Sequence, residues 1–288
     1  MHNISVVIPT VGEKTLFNVI ESLLNSTIKP IEIILSVHED HYNLVRTLES
    51  DIVKILKNNI KGQVIQRING FKEAKGDYIL QIDSDIILEI DSIELLLNSI
   101  NEIGENVAIA PVLKSNKIYT NNNNFIYILI KKVLALILDG KTDLQPGIIT
   151  KSSIESIPPN NDLNLTNIQT EWLPGGCILH RKQNLILNNY FNYSGKAICE
   201  DLFHSFYLTR KKIKLYINKD IVVQHIDNAN EDFHNLSDLK KYLSNLYKIR
   251  KDFLYLVKGN SIRFHIWFTY FILKNILFYL LKYKYGSK

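Results

Sequence analysis

Cysteine is scarce in this chain of 288 residues, which contains only Cys177 and Cys199. These two form no CxxC pair and no disulfide framework, so we expect a protein of the reducing cytosol. An uninterrupted apolar run of the about 20 residues that span a bilayer is also missing. The first residues, 1–3, contain no basic region and no cleavage site, so we expect no signal peptide. The chain is 46% hydrophobic and 22% charged, which indicates a folded protein with one large domain and room for an appendage.

Acidic residues are nearly absent from the C-terminal part. Residues 236–288 contain eleven Lys or Arg and two Asp, a net charge of +9, whereas residues 1–235 have a net charge of −4. The same tail is rich in Phe, Tyr, Trp, Ile and Leu. This composition is typical of a membrane-surface segment, although a solvated helical face carries similar charge. Nucleic-acid binding is disfavoured, because the tail is too apolar and the rest of the chain is acidic.

Apolar periodicity predicts strands and helices in alternation. Short β-branched runs predict strands at residues 4–8, 31–37, 64–65, 78–82, 107–112, 213–216 and 221–223. Helical spacing predicts helices at 16–24, 42–56, 93–100, 125–138 and from 239 onward. Asp91 and Glu94 have the spacing of a capping box for the third of these. Alternation of this kind predicts a mostly parallel, doubly wound α/β sheet.

Two carboxylates follow the predicted strand 78–82, in Asp83-Ser84-Asp85. Ligands of open α/β sheets bind just beyond the carboxyl ends of the strands. Two acidic oxygens there can hold a hard cation such as Mg²⁺ or Mn²⁺, which in turn binds a diphosphate. Chance alone supplies about one Asp-x-Asp in a chain with this much Asp, so the motif depends on its context.

The segment before this motif provides that context. Lys61-Gly62-Gln63, Arg67, Gly70 and the run 73–80 precede it in one continuous pattern. Together with Val6-Val7-Ile8-Pro9-Thr10, this pattern resembles the donor-binding region of family 2 glycosyltransferases, which have the GT-A fold. Two positions depart from it. Ile68 replaces the usual Asn after the Arg. At the end of the second strand, where the family usually has an Asp that binds the nucleotide base, this chain has Ser36-Val37-His38-Glu39-Asp40, and which of these residues replaces it, if any, stays open. The second departure leaves the nucleotide open.

The resemblance implies a Rossmann-like GT-A domain with a mixed sheet at 1–235 and a helical extension at 236–288. It implies an inverting, metal-dependent glycosyltransferase that uses a UDP-, dTDP- or GDP-linked sugar and a glycan or lipid-linked acceptor, in cell-surface polysaccharide synthesis. The donor-binding residues it implies are Pro9, Thr10, Glu13, His38, Arg67, Asp83, Ser84 and Asp85.

Two further segments follow in the order that the family has. Trp172-Leu173-Pro174-Gly175-Gly176 looks like the acceptor segment of rhamnosyltransferase-like members, where a Trp face binds a sugar ring. A buried Trp beside a Gly-Gly turn is the alternative. Glu200-Asp201 matches the family's acidic pair at a helix start, which implies Asp201 as the catalytic base and Glu200 as an acceptor ligand. An ordinary helix N-terminus also favours acids.

His225 follows the predicted strand 221–223 and matches a position that often completes the metal site in this fold. The resemblance therefore implies Asp83, Asp85 and His225 as metal ligands. A lone His at a strand end is more often structural, so this alternative stays open.

The tail has ten uncharged residues between Arg263 and Lys274 and seven more at 275–281. Lys274 at the centre of a spanning helix would cost about 2.5–3.5 kcal/mol. We therefore expect an interfacial helix, peripheral at the cytoplasmic face of the membrane. Its headgroup aromatics would be Trp267, Tyr270, Phe271, Phe278 and Tyr279, and its lipid-binding lysines Lys282, Lys284 and Lys288. The alternative is a helix buried against the catalytic domain or a second subunit, as in a homodimer. The helix 125–138 would cover the site, lie on a membrane, or be a plain surface helix.

Two rival functions remain at this point. A non-catalytic binding or scaffold protein could keep the same fold. A sugar nucleotidyltransferase would need a glycine-rich phosphate loop after the first strand, and residues 9–14 are a poor version of one.

Overall fold

The computed structural model describes residues 3–115, 124–159, 165–193, 197–226, 233 and 235–285. The strands are β1 (Ile4–Thr10), β2 (Glu32–His38), β3 (Val53–Asn58), β4 (Tyr78–Ile82), β5 (Ile86–Ile87), β6 (Val107–Ser115), β7 (Asn167–Thr170), β8 (Cys177–Arg181) and β9 (Lys214–His225). The α-helices are α1 (Leu16–Leu24), α2 (Tyr42–Val45), α3 (Gln63–Glu73), α4 (Ser92–Ile103), α5 (Phe125–Asp139), α6 (Glu200–Arg210), α7 (Leu236–Leu256) and α8 (Ser261–Tyr285).

All nine strands form one mixed sheet in the order β3-β2-β1-β4-β8-β6-β9-β5, with β7 also paired to β9. The first four strands in this order are mutually parallel, and β9 is parallel to β6. β8 is antiparallel to both of its neighbours, β4 and β6. Because β8 is antiparallel to both β4 and β6, strand β6 runs in the same direction as β4. Strands β6 and β9 therefore point the same way as β1 and β4. Their carboxyl ends share one edge of the sheet.

Helices cover both faces of this sheet. Every residue of β1 and of β2 is buried, as expected for strands packed on both sides. Apolar residues of α1 and α4 pack in one core on the first face. On the other face Phe71 of α3 and Leu208 of α6 belong to two smaller cores. The predicted α/β class with a doubly wound mixed sheet is therefore confirmed.

Several local predictions were wrong. The predicted helix 42–56 contains the short helix α2 and then strand β3, which is buried at its two ends and partly buried or exposed between them. The predicted strand 64–65 lies inside α3. The two strands at 213–216 and 221–223 are one bulged strand, β9. No side-chain cap comes from Asp91, and Glu94 instead accepts a hydrogen bond from Thr27 Oγ1 at 2.8 Å.

The chain divides into two compact units. The first contains Met1–Ile118 and Ile157–Asp227 and therefore the whole sheet. The second contains Tyr119–Ser156 and Asn228–Lys288. The second unit therefore combines α5 with the C-terminal helices, whereas the expected boundary at residue 235 assigned the segment 119–156 to the first domain.

Helix α5 packs against α8 within the second unit. The guanidinium of Arg263 donates hydrogen bonds to the carbonyls of Leu136 and Ile137 at the end of α5. Arg250 of α7 forms a two-pronged ion pair with Glu155. Lys282 and Lys284 lie in a part of α8 whose side chains are outside the described set, and Lys288 lies outside the described residues.

Candidate functional site

The predicted metal ligands lie at the carboxyl edge of the sheet. Asp83 follows β4, Asp85 precedes β5, and His225 ends β9. Pairing of β5 with β9 sets Ile86 opposite His225, and this register brings His225 Nε2 to 3.2 Å from Asp85 Oδ2. Both side chains are partly exposed, at 39% for Asp85 and 33% for His225. Strands far apart in the sequence thus bring these two groups together.

Arg67 connects this corner to the start of α6. It is fully buried, and its Nη2 donates to Asp83 Oδ1 at 2.9 Å while its Nη1 donates to Glu200 Oε1 at 2.7 Å. Burial alone would lower the pKa of Arg67, but Glu200 and Asp83 raise it above its ordinary value. The guanidinium is therefore a permanent cation between two carboxylates.

The surroundings of Asp83 disfavour the ionised form of its carboxyl group. Burial raises its pKa to about 6; Arg67 opposes this shift, and the nearby charges of Glu200 and Asp85 add to it. Gln63 Nε2 also donates to Asp83 Oδ1, at 3.0 Å. The corner thus has more negative charge than Arg67 neutralises. A divalent cation beside Asp83 and Asp85 would remove this excess, so the donor set fits a metal.

Within the described residues, no three acidic, His or Cys side chains form a ready cluster for a metal ion. The protein therefore offers few ligands of its own. Mg²⁺ sites of this kind take one or two carboxylates and complete their coordination with phosphate oxygens and water. The Asp85 carboxylate, with His225 beside it, is suited to that role for Mg²⁺ or Mn²⁺.

The glycine pair packs between the two acidic segments. A Cβ at Gly175 would lie 2.7 Å from Glu200 Oε1, so any other residue here would require the Glu200 carboxylate, which Arg67 holds, to shift. Gln81 Nε2 donates to the Gly175 carbonyl at 2.6 Å, and the Asp83 amide donates to the Gly176 carbonyl at 2.8 Å. This loop therefore holds the end of β4 against the start of α6.

Trp172 does not provide the open acceptor wall expected of it. Its side chain is buried, with 7% of the residue exposed, so its ring face is not available to a sugar in solution. Thr170 Oγ1 donates to the Trp172 carbonyl at 2.9 Å, and Ser205 Oγ accepts from the next amide. The buried Trp beside a Gly-Gly turn, the alternative interpretation, is the arrangement that the structure has.

Asp201 and Glu200 begin α6 but have different surroundings. Cys199, just before them, has a left-handed φ of 61°, and the backbone turns there into the helix. The Glu200 side chain is 7% exposed and belongs to the ion pair with Arg67. Asp201 is only partly buried, and its Oδ1 accepts from the Leu202 amide at 3.0 Å.

The loop after β1 is closed by its own side chains. Thr10 Oγ1 donates to Glu13 Oε2 at 2.5 Å and accepts from the Gly12 amide at 2.9 Å. Thr15 Oγ1 donates to the Ser84 carbonyl at 2.7 Å, which connects the loop to the Asp-x-Asp turn. Glu13 Oε2 also accepts from the Val11 amide at 3.2 Å, and an acidic side chain in this place does not suit a phosphate loop. Thr15 was not among the predicted residues.

At the end of β2, His38 is buried, and its Nδ1 accepts from the Asp40 amide at 3.2 Å. Asp40 is exposed and pairs with Lys61 at 2.7 Å. Asn58, which faces His38 across the β2–β3 register, donates to Ser36 Oγ at 2.9 Å. Where the family pattern has Asp, this corner therefore presents the polar side chains of Ser36, His38 and Asn58, with Asp40 turned to Lys61.

A layer of aromatic rings lies behind Glu200, and sequence reasoning missed it. The hydroxyl of Tyr190 donates to Glu200 Oε2 at 3.4 Å, and its ring stacks on His204 with centroids 5.3 Å apart. The His180 ring follows at 5.4 Å from His204. Burial lowers the pKa of His180 to about 3 and that of His204 well below its usual value, and Arg67 adds to both shifts. Both imidazoles are therefore neutral at pH 7.

No local signal in the sequence marks these rings. Tyr190, His180 and His204 come from three separate segments and meet only because β8 and α6 pack together on the same face as α3.

Comparison with known proteins agrees with this geometry. Residues 5–147 match the family model described as glycosyl transferase family 2. A curated relative, the poly(ribitol-phosphate) beta-N-acetylglucosaminyltransferase TarP of Staphylococcus aureus strain N315, is 32% identical over 108 residues. The match covers 34% of this chain and 33% of TarP, so the chain matches about a third of the relative's length.

The solved structure of GalNAc-T7 with UDP, GalNAc and Mn²⁺ resembles this chain with a TM-score of 0.56 and 17% identity. The match covers 88% of this chain and 50% of that one. At this identity the likeness concerns the fold alone, and it confirms the predicted GT-A architecture. S. aureus TarS 1–349 matches with a TM-score of 0.48 and 14% identity over 85% of this chain and 65% of that one, too weak to carry an argument.

Proposed function

Because residues 5–147 place this chain in glycosyl transferase family 2, we propose that it is an inverting, metal-dependent glycosyltransferase. The donor is a sugar linked to a nucleoside diphosphate, and the acceptor is a hydroxyl of a glycan or of a lipid-linked precursor. UDP, dTDP and GDP remain the candidate nucleotides. The polar corner of Ser36, His38 and Asn58 is where the base would bind.

One observation carries the proposal. Buried Arg67 pairs with Asp83 on one side and with Glu200 on the other. These contacts fix the Asp-x-Asp turn next to the start of α6, so a donor diphosphate and a base on α6 would be neighbours. Holding reacting groups in the right geometry can supply about 7–11 kcal/mol of the barrier.

In this mechanism Asp201 is the general base. The acceptor oxygen forms a bond to the anomeric carbon while the bond from that carbon to the diphosphate oxygen breaks on the opposite face. The acceptor proton passes to the Asp201 carboxylate, and one displacement inverts the configuration. Glu200 is a positioning residue: its ion pair with Arg67 holds the first turn of α6 while Asp201 stays accessible.

Asp85 and His225, with Asp83 beside them, would hold Mg²⁺ or Mn²⁺, which supplies positive charge where the diphosphate leaves. Thr15 supports this corner through its hydrogen bond to the Ser84 carbonyl. Pro9 and Thr10 at the end of β1, with Glu13 in the loop that follows, would border the donor on the β1 side.

We also propose that the enzyme works at the cytoplasmic face of a membrane, where a lipid-linked acceptor or a growing surface glycan is available. The basic, aromatic tail at 236–288 supports this location. A homodimer remains the alternative use of the tail.

The experiment incubates the purified protein with UDP-, dTDP- and GDP-sugars and Mn²⁺ and measures release of the nucleoside diphosphate. Asp201→Asn should lower turnover at least about 100-fold, since general base catalysis contributes 10²–10⁴, while donor binding by thermal shift stays near wild type. Asp85→Asn should instead weaken Mn²⁺-dependent donor binding. Asp220→Asn, an exposed carboxylate paired with Lys219, is the matched control and should change neither.

Near-normal turnover of Asp201→Asn would exclude it as the base. Failure of every donor to bind would favour the non-catalytic alternative.

A further inference from the structure

We propose that α5 and α8 together form one membrane-binding face, which binds the surface of an anionic lipid bilayer. The proposed function explains why such a face would be useful, but lipid binding itself does not require catalysis. This inference extends the expectation for the C-terminal tail to a helix more than a hundred residues earlier in the sequence.

The exposed apolar side chains of the described residues are concentrated on these two helices. Of 27 exposed large hydrophobic residues, α5 contributes seven and α8 eight. Those of α8 include one stripe at helical spacing: Ile262, Ile266, Tyr270, Leu273, Leu277 and Leu281. Those of α5 are Phe125, Ile126, Ile128, Leu129, Ile130, Val133 and Leu136. Contiguous exposed apolar surface of this kind marks an interaction site.

The two apolar surfaces are continuous. A groove between the helices is lined by Val133 and Leu136 from α5 and by Ile262 and Ile266 from α8. Arg263 fixes the junction through hydrogen bonds to the last carbonyls of α5. The exposed stripe of α8 therefore begins beside α5 and runs on toward residue 281.

The charge around this face has one sign. Helix α8 has no acidic residue, and the one acidic residue of α5, Asp139, is buried. Lys131, Lys132 and Lys274 are exposed next to the apolar side chains. The second unit as a whole carries fifteen Lys or Arg and seven Asp or Glu, a net charge of +8. This charge attracts anionic lipid, whereas two copies of the face would repel each other.

The aromatic residues expected in the headgroup region divide into two groups. Tyr270 and Phe278 are exposed on the face. Trp267, Phe271 and Tyr279 are partly buried. The rings of Trp267 and Phe271 stack on each other with centroids 5.3 Å apart, and Arg250 lies 6.0 Å from the Trp267 ring. The lipid contacts therefore come mainly from Leu and Ile.

By length and composition the segment Ser261–Leu281 could also cross a membrane, and 11% of it is buried. Core helices of soluble proteins and signal sequences share this length and composition. We assign the interfacial position because Lys274 lies inside the segment and α5 shares its face. Long lysine side chains reach the headgroups from such a position.

The test is flotation of the full chain with vesicles of neutral lipid and of neutral lipid mixed with phosphatidylglycerol, without donor sugar. Wild type should float with the anionic vesicles and lose binding at high salt. The α5 variant Leu129→Ser/Val133→Ser should bind the anionic vesicles at least about tenfold more weakly than wild type, and so should the α8 variant Leu273→Ser/Leu277→Ser. The variant Lys131→Gln/Lys132→Gln should bind these vesicles about 30-fold more weakly, since each lysine contributes about a factor of five to the affinity. The control Ile90→Ser/Leu187→Ser removes exposed apolar residues from the first unit and should float like wild type.

Wild-type flotation of the α5 variant would overturn the joint face, and equal binding to neutral vesicles would overturn the role of the lysines. A protein that stays unbound and dimerises in sedimentation would assign the face to a second copy. Sugar transfer to a soluble acceptor, measured without vesicles, should be unchanged in all these variants. A protein that floats but transfers no sugar would refute the proposed function and leave this inference standing.

Discussion

Replacement of Arg67 by Met tests whether this buried guanidinium holds the site together. The substitution keeps the length and apolar stem of the side chain and removes its charge. Asp83 and Glu200, each within 3 Å of the guanidinium, are then left without their shared cation. Removing one partner of a buried ion pair costs about 3–5 kcal/mol. We expect the free energy of unfolding to fall by at least about 3 kcal/mol, as measured by urea denaturation.

A double-mutant cycle separates this ion pair from general damage to packing. Glu200→Gln alone loses a charged hydrogen bond and should cost about 1.5–3 kcal/mol. In the Arg67→Met background it removes one of two unpaired carboxylates, so it should cost much less or even stabilise. The expected coupling is about 1–3 kcal/mol.

The pH dependence gives an independent check. The pKa of Asp83 is raised to about 6, mainly by burial, and loss of Arg67 raises it further. A raised carboxyl pKa means that the folded state takes up the proton more readily than the unfolded chain. The free-energy cost of the ionised, buried Asp83 is therefore present at pH 7.5 and is relieved as the pH falls through 6. The stability gap between wild type and Arg67→Met should be smaller at pH 5 than at pH 7.5. Additive single mutants together with a gap that does not change with pH would refute the reasoning.

Two other features of the site lead to predictions. The pKa values of His180 and His204 are lowered in the folded state, whereas in the unfolded chain these histidines take up protons below a pKa of about 6.5. The free energy of unfolding therefore falls as the pH drops from 6.5 toward 3. His204→Phe should flatten a plot of melting temperature against pH, and an unchanged slope would contradict this. Gly175→Ala would push a methyl group onto Glu200 Oε1, at 2.7 Å, and should cost about 1–3 kcal/mol and most of the transfer activity. Gly176→Ala meets side-chain carbons at 3.3 Å or more and should have a smaller effect; equal loss in the two variants would show that the contact with Glu200 is unimportant.

The sequence predicts the fold where one local pattern dominates. The buried run of β4 and the amphipathic helix α1 were expected at their observed limits, because both patterns are continuous and end at turn residues. The interval 42–56 was wrongly predicted as one helix, since its apolar residues fit a helix as well as a strand. Strand β8 was missed because it enters the sheet antiparallel between β4 and β6, and no local pattern encodes a partner so far away in the chain.

The site follows the same division between local and distant information. The pattern from Lys61 to Asp85 is local, so it predicts which residues face the donor. What Glu200 does depends on residues far from it in the sequence. The motif alone implies that Glu200 is an acceptor ligand. However, the Glu200 side chain is 7% exposed and its Oε1 lies 2.7 Å from Arg67 Nη1, which is a poor position for contact with an acceptor in solution. The geometry favours a different division of work in the acidic pair: Glu200 anchors the first turn of α6 to the donor corner, and this anchor leaves the more exposed Asp201 as the carboxylate that an acceptor hydroxyl can reach.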